Sequence, residues 1–487
     1  MNKFYITTSI AYVNAPPHIG FSQELIQADV IARYQRLLGK DVFFLTGTDE
    51  HGIKVAKAAE EEGKSPKVFA DKMSEKYQTL KKALNLSNDD FIRTTDRERH
   101  WPTVQKVWLQ LKDKGLIYKK KYRGLYCVGC ETFLKEKDLI EGKCSLHQKE
   151  PEFVEEENYF FRLSGYNADL IKIAKEDKVK IIPEIRKREL LSFLEQGLED
   201  VSCSRSREKL RWGIPLPDDD SQTIYVWFEA LLNYLSAIGY LDDGERFKNF
   251  WPPDIQFIGK DIFTRFHGSL WPALLLALDL PLPKTIFIHG FINVAGQKMS
   301  KSLGNVIDPF ELVKKYGADA VRYFILREIS STEDGDFTYE KFEERYNSDL
   351  AKGLGNLVAR VLTLAEKEKN QDGSHLVLDP PVKKTWQDYS AALDAFKFNE
   401  ALASVWNLIS FCDKYIEKEK PWDRLYQENL IIKNLLFALG NIAFLLYPFL
   451  PQTSEKIFNQ LGINPASRES WHFNVRKGEV LFPRIGS

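Results

Sequence analysis

Two segments of the chain place phosphate-seeking side chains beside small neighbours. Pro17-His18-Ile19-Gly20-Phe21 follows a short β-prone run and opens a helical pattern. Backbone N–H groups at a helix start attract phosphate, a histidine can donate to a phosphate oxygen, and Gly20 permits close approach of an anion. The same histidine could instead only cap the helix. Lys298-Met299-Ser300-Lys301-Ser302, followed by Leu303-Gly304-Asn305, sets two lysines one turn apart in a Gly/Lys/Ser-rich loop. Such a loop can close over a triphosphate and neutralise the charge that develops as pyrophosphate leaves; a solvated basic loop is the competing explanation.

A third cluster is suited to metal. Cys127-Val128-Gly129-Cys130 is separated by thirteen residues from Cys144-Ser145-Leu146-His147. Three thiolates and one imidazole fit a closed tetrahedral zinc site, structural rather than catalytic because four protein ligands leave no open position. Unliganded cysteines in a reducing compartment are the alternative. Cys203 and Cys412 stand apart, so the five cysteines form no disulfide framework.

These groups need elements to hold them. Residues 3–10 read as a strand, Ile19 to Leu38 as a helix, and Asp41 to Thr46 as a buried parallel strand between Gly39 and Gly47. The alternation predicts an α/β, doubly wound sheet. From about Tyr118 to Pro217 the period breaks, which predicts an insertion. Tyr225-Val226-Trp227, Ile255 to Ile258 and Thr285 to Ile288 then read as further strands. Beyond about residue 335 strand signals vanish; Phe398 to Lys418 and Asn429 to Tyr447 carry helical spacing, so an all-α bundle closes the chain. The expected divisions are 1–117 and 223–335 for the two halves of the sheet domain, 118–222 for the insertion and 336–487 for the bundle.

Composition bounds the answer. At 487 residues about three domains are expected. The 68 basic against 69 acidic residues exclude a uniformly basic polyanion binder, so nucleic-acid contact must come from local patches. Lys119-Lys120-Lys121-Tyr122-Arg123 and Arg186-Lys187-Arg188 are such patches, although charge runs are usually solvated faces. Met1 to Thr7 turns into a short strand-like run, so no secretory signal is expected, and the longest apolar run, Leu435 to Leu450, contains Gly440, Asn441 and Pro448 and falls short of a membrane span. A cytoplasmic protein is expected.

The two phosphate-seeking segments resemble the paired signatures of class I aminoacyl-tRNA synthetases. The text between them resembles the methionyl-tRNA synthetase family: Thr46-Gly47-Thr48-Asp49-Glu50-His51-Gly52, Tyr225-Val226-Trp227-Phe228-Glu229-Ala230, Phe257-Ile258-Gly259-Lys260-Asp261-Ile262, and His289-Gly290 ahead of Lys298. The likeness runs along nearly the whole chain. One departure is plain, because the family's first signature usually ends in a second histidine and this chain has Phe21.

The resemblance implies a Rossmann-type catalytic domain, a zinc-containing insertion and an anticodon-binding helix bundle, acting on ATP with Mg²⁺, L-methionine and tRNA(Met), as a monomer with one structural zinc. It implies catalysis by His18, Lys298 and Lys301. ATP binding falls to these three with Gly20, Phe21, Gly259, Asp261 and Ile292. For methionine, Asp49 would hold the ammonium, and Ile10, Trp227, Ala230, Leu231, Tyr234, Ile262, Phe266 and His267 would line an apolar slot, with Tyr234 and His267 able to donate toward the sulfur. Taken singly, Trp227 and Phe266 read as core, and Asp261 as a helix cap. Asn356, Arg360 and Trp422 match anticodon readers: the first two share a helix face, and the tryptophan offers a stacking platform. A ligase for another apolar amino acid, or a non-catalytic paralogue binding tRNA or nucleotide, are the rival readings.

Overall fold

A computed structural model describes residues 2–486 apart from 130–131, 135–138, 146–147, 243, 300–302, 367–377, 424–427 and 466–470. The chain divides into two compact units: Met1–Pro17, Gly39–Thr79 and Asn88–Ile288, and His18–Leu38, Leu80–Ser87 and His289–Ser487.

The first unit is built on a seven-stranded sheet. Its strands run in the order Lys180–Ile182, Thr285–His289, Ile255–Gly259, Lys3–Thr8, Asp41–Asp49, with Ala11–Tyr12 and Asp90–Arg93 both paired to Asp41–Asp49. Lys3–Thr8 is parallel to each neighbour, with Thr8 opposite Phe257 and Thr7 opposite Leu45. Val42, Phe44, Leu45, Ile6, Phe257 and Ile258 are all buried, which explains why these strands read as apolar runs rather than alternations. The chain moves from Lys3–Thr8 to Asp41–Asp49 on one side and to Ile255–Gly259 on the other. Strand order therefore reverses at Lys3–Thr8, and at such a point the carboxyl ends of neighbouring strands open a crevice.

The insertion is antiparallel. Ile117–Cys127 pairs along its length with Glu152–Phe161, flanked by Val201–Ser202 and Thr132–Leu134. Register sets Lys121 opposite Glu157 and Arg123 opposite Glu155, and Arg123 pairs with Glu155 at 2.9 Å. Arg186 likewise pairs with Glu189 and Lys187 with Asp177. Within the first basic run, Lys121 and Arg123 thus face opposite charge across the strands, whereas Lys119 and Lys120 face Tyr159 and Asn158.

One strand expectation fails. Tyr225 caps a helix, Val226–Leu231, and the strand ends earlier, at Gln222–Ile224. Three β-prone residues are too short a run to resist their context; Phe228, Glu229, Ala230 and Leu231 all bury as a helix, and burial overrides propensity.

The second unit is largely helical. Helices Ile19–Leu37, Pro309–Tyr316, Ala318–Glu328, Tyr339–Arg345, Asn356–Ala365, Asp379–Asp394, Phe398–Glu419, Glu428–Leu446 and Pro451–Leu461 are joined by one small sheet. In that sheet Ile292–Val294 pairs with Gln297–Lys298 on one side and with Gly335–Phe337 on the other. The last strand lies where sequence signals were expected to have vanished: its three residues include Gly335 and Asp336, and its pairing is long-range.

Candidate functional site

In the first unit, three adjacent strands release expected site residues at one edge of the sheet. Lys3–Thr8 leads to Ile10, Asp41–Asp49 ends on Asp49, and Ile255–Gly259 leads to Asp261. Ala11 and Tyr12 pair with Thr48 and Asp49, and Val13 N–H donates to the Asp49 carbonyl at 3.1 Å, so the Ile10 and Asp49 segments are tied by backbone. Gly47 permits that approach: a Cβ there would meet the Ile92 carbonyl oxygen at 2.1 Å and Ile10 Cγ2 at 3.0 Å. Asp49 is buried and Asp261 exposed.

The apolar residues expected around methionine sort by depth. Ala230, Leu231, Tyr234 and His267 are buried, whereas Ile10, Trp227, Ile262 and Phe266 are partly buried against the same core. Trp227 and Phe266 stack at 3.8 Å with ring planes 10° apart. Phe266 and His267 sit on Phe263–Leu270, a π-helix, a rare form enriched at functional sites. His267 Nδ1 faces the Ile262 carbonyl at 3.3 Å, which fixes its proton there, so Nε2 accepts from the Tyr234 hydroxyl at 2.9 Å. Burial holds this imidazole down at about 4, and it is neutral. In this arrangement the tyrosine proton goes to the histidine and the histidine proton to the Ile262 carbonyl.

Sequence reasoning passed over the two side chains that follow Asp49. Glu50 forms a bidentate pair with Arg93 at 2.7 and 2.9 Å, Arg93 also reaches Asp71, and Thr48 donates to Glu50 at 2.7 Å. His51 turns the other way and meets Glu229. Both stood inside recognised motifs, yet nothing in one sequence says that they touch.

In the second unit, His18 caps the helix Ile19–Leu37 with extended backbone, and its Nδ1 accepts from Gly20 N–H at 3.1 Å. Nε2 must then carry the ring proton, and burial lowers the imidazole pKa, so His18 is a neutral donor through Nε2. A Cβ on residue 20 would meet His18 Cε1 at 3.0 Å and Met299 Cε at 3.3 Å, the space the folded-back ring requires. The helix start differs from the expectation of open amides: Ile19 N–H donates to the Ile307 carbonyl and Gly20 N–H to the histidine itself. Capping takes one ring nitrogen and leaves the N–H of the other able to donate. Phe21 is partly buried.

Lys298 lies on the strand Gln297–Lys298, exposed, with its ammonium 5.0 Å from the Phe291 ring centre. The turn to Ile292–Val294 is Ala295-Gly296 with φ of 50° and 75°, the left-handed pair that tight hairpins use. Ile292 is buried, so any nucleotide contact it makes is through its backbone. Lys301 lies outside the described residues. His289, just ahead of this hairpin, reaches Glu24 of the His18 helix with Nε2 at 2.7 Å, a partner that sequence alone did not suggest.

Asn356 and Arg360 share the helix Asn356–Ala365, Asn356 exposed and Arg360 paired to Asp413 at 2.9 Å. Asp413 belongs to Phe398–Glu419, and Trp422, 56% exposed, follows that helix in the turn Pro421–Asp423.

For the metal cluster, Cys127 ends the long insertion strand and Cys144 sits in the hairpin Leu139–Ile140/Lys143–Cys144; both are buried against Leu134 and Leu139. Two buried thiols gathered in a small lobe fit half of a zinc site; Cys130 and His147 lie outside the described residues. Among the described residues no group of three or more metal-ligating side chains is assembled. No helix among them is long and apolar enough to cross a membrane.

Comparison with known proteins places the family and the fold. Residues 4–145 and 134–362 match the family described as tRNA synthetases class I (M), and residues 382–478 match the anticodon-binding domain of tRNA ligase. The methionine–tRNA ligase of Thermotoga maritima is 44% identical over 99% of this chain and 80% of its own, and that of Bacillus subtilis 41% over 99% and 78%. Mycobacterium tuberculosis methionyl-tRNA synthetase in complex with methionyl-adenylate superposes with a TM-score of 0.94 at 36% identity, over 99% of this chain and 100% of that one. With an α/β domain on a parallel sheet, a helical anticodon-binding domain and relatives matched along almost its full length, the chain belongs to the methionine–tRNA ligases, class I aminoacyl-tRNA synthetases.

Proposed function

We propose that the chain joins L-methionine to tRNA(Met) through a methionyl-adenylate, with the roles that follow. The observation that carries the assignment of residues is the release of Ile10, Asp49 and Gly259 to Asp261 from three adjacent strand ends at the reversal of strand order. Asp49 takes the methionine ammonium; Ile10, Trp227, Ala230, Leu231, Tyr234, Ile262, Phe266 and His267 take the side chain. The methionine carboxylate attacks the α-phosphorus of Mg²⁺-bound ATP, the bond to the leaving pyrophosphate breaks, and the methionyl-adenylate results. His18 donates through Nε2–H, Lys298 and Lys301 offset negative charge on the departing phosphates, and Gly20, Phe21, Gly259, Asp261 and the Ile292 backbone seat the nucleotide. Positioning and charge stabilisation supply the catalysis, since the reaction asks no covalent step of the protein. The 2′-hydroxyl of the terminal tRNA adenosine then displaces AMP.

Asn356, Arg360 and Trp422 read the anticodon. Residues 1–117 and 223–335 form the catalytic domain, 118–222 the insertion and 336–487 the anticodon-binding domain. Cys127, Cys130, Cys144 and His147 hold one structural zinc, and metal analysis of freshly purified protein should give about one zinc per chain. A cytoplasmic location and a monomeric state complete the reading, the second tested by light scattering. Methionine-dependent exchange of labelled pyrophosphate into ATP tests the function, and its absence with methionine but presence with another apolar amino acid would transfer the assignment.

A further inference from the structure

Behind the expected methionine residues runs a chain of buried polar groups that the reaction does not use. His51 Nδ1 lies 2.8 and 3.1 Å from the two carboxyl oxygens of Glu229, and the side chains are 1% and 0% exposed. The His51 ring is walled by Trp101 at 5.8 Å and Trp212 at 5.2 Å. His51 stands two residues after Asp49, and Glu229 sits between Trp227 and Ala230 on Val226–Leu231. We propose that His51 and Glu229 are positioning residues of the methionine site, whose mutual hydrogen bond fixes the strand end bearing Asp49 against the helix bearing Trp227, Ala230 and Leu231.

The contacts around the pair and its burial together favour a proton on Glu229, although His51 Nε2 has no hydrogen-bond partner among the described residues. His100 Nδ1 lies 2.9 Å from Ser236 Oγ, whose own hydrogen goes to the Leu232 carbonyl, so Nδ1 donates and His100 Nε2 presents a lone pair. That lone pair is 3.9 Å from Glu229 Oε2. An ionised Glu229 would face it with negative charge inside a dry interior, a costly arrangement. A protonated Glu229 donates to His51 Nδ1, leaves the cluster neutral, and places the His51 proton on Nε2. Burial acts in the same direction, raising Glu229 well above the ordinary carboxyl range and lowering His51 to about 4 and His100 to about 3. The other charged groups bearing on His51, Glu50 and Arg97, oppose one another in sign.

A neutral donor on residue 229 is therefore what the clasp needs. Displacing a pocket wall by an ångström costs orders of magnitude when the bound geometry must be reactive. This inference rests on the reading of Asp49 and Trp227 as methionine residues, and the test separates the two. In pyrophosphate exchange, Glu229→Ala should raise the methionine KM at least tenfold with the ATP KM held within twofold. Glu229→Gln, whose amide can donate to Nδ1, should keep the methionine KM within about threefold. Should Glu229→Ala fail to fold, His51→Phe, which keeps a flat ring beside Trp101 and Trp212 but withdraws the nitrogen that Glu229 reaches, is expected to give the same split. Equal losses for both substrates, no change in methionine KM, or a Gln variant as impaired as Ala would each overturn the clasp. Asp49→Asn is the control: if it leaves the methionine KM unchanged, the methionine assignment itself fails, whatever the Glu229 variants do.

Discussion

The Tyr234 hydroxyl donates to His267 Nε2 at 2.9 Å, because the other ring nitrogen of His267 is committed to the Ile262 carbonyl. Tyr234→Phe would leave a buried acceptor without its donor. Such a loss costs about 1–3 kcal/mol, or roughly 5- to 150-fold in an equilibrium constant. That cost falls on folding and should appear in chemical unfolding; a His267 freed to turn should also raise the methionine KM in pyrophosphate exchange, with the ATP KM within twofold. An unchanged methionine KM would show that this pair does not border the amino acid.

Acid should destabilise the protein before its ordinary carboxylates titrate. His51 and His267 are held at about 4 and His100 at about 3, each chiefly by burial. Unfolded histidines bind protons near 6.5, so between about 6.5 and 4 the unfolded chain binds more protons at these sites than the folded one. Their stabilising contribution is complete above about 6.5 and is lost as pH falls. Glu229 has the opposite sign, since burial raises its pKa and the folded state keeps a proton that the unfolded state releases above about 4.5. It cancels one histidine, so once the unfolded histidines are fully protonated, near pH 5, about 2.7 kcal/mol per pH unit remains from these four groups. Urea midpoints should change little from pH 7 to 6.5 and fall increasingly steeply from 6.5 to 5; a series flat down to pH 5 would contradict neutral buried histidines.

What the sequence could and could not say follows from the range of each signal. Local ones were readable: the apolar run Asp41 to Thr46 lies in the strand Asp41–Asp49, and helical spacing from Phe398 to Lys418 matches Phe398–Glu419. Tyr225 to Trp227 misled because three residues carry too little period to separate a strand from a buried helix. Long-range pairings left no trace in a single chain. Glu24 with His289, Asp413 with Arg360, and Glu229 with His51 are separated by 265, 53 and 178 residues. The motifs marked where chemistry is expected, while the side chains that orient those motifs emerged only from the fold.

Lys301 is expected to act on the reaction more than on substrate binding. Its charge meets most negative charge as pyrophosphate departs, so an interaction there strengthens toward the transition state. Lys301→Ala should slow adenylate formation in single-turnover measurements far more than it weakens methionine binding. Comparable losses in both would assign the lysine to ground-state binding instead.

Trp422 exposes 56% of its surface in a turn at the end of the helix that supplies Asp413. Stacking of a base on an aromatic side chain is worth about 1–3 kcal/mol, so Trp422→Ala should raise the tRNA KM about tenfold or more in aminoacylation. Pyrophosphate exchange, which needs no tRNA, should persist. Loss of both activities together would identify the residue as structural.

Arg322 offers a stability test within the second unit. Its guanidinium is wholly buried, pairs with Asp29 of the His18 helix at 2.8 Å, and donates to the carbonyls of Phe449 at 2.7 Å, Pro448 at 2.8 Å and Leu84 at 3.2 Å. Asp29 in turn holds Arg33 at 2.8 Å and accepts from Ser87 N–H and Oγ, both at 2.6 Å. Arg322→Met would strip three carbonyls of their donor and leave Asp29 with one cation in place of two. Breaking a buried charged network from one side costs about 3–5 kcal/mol, which chemical unfolding should register in full. Arg322→Lys keeps the charge but lacks the planar fork that reaches several acceptors at once, so its loss should be smaller and still measurable. If Arg322→Met cost less than about 1 kcal/mol, the guanidinium's bonds could not be what holds the Leu84, Pro448 and Phe449 carbonyls to the His18 helix.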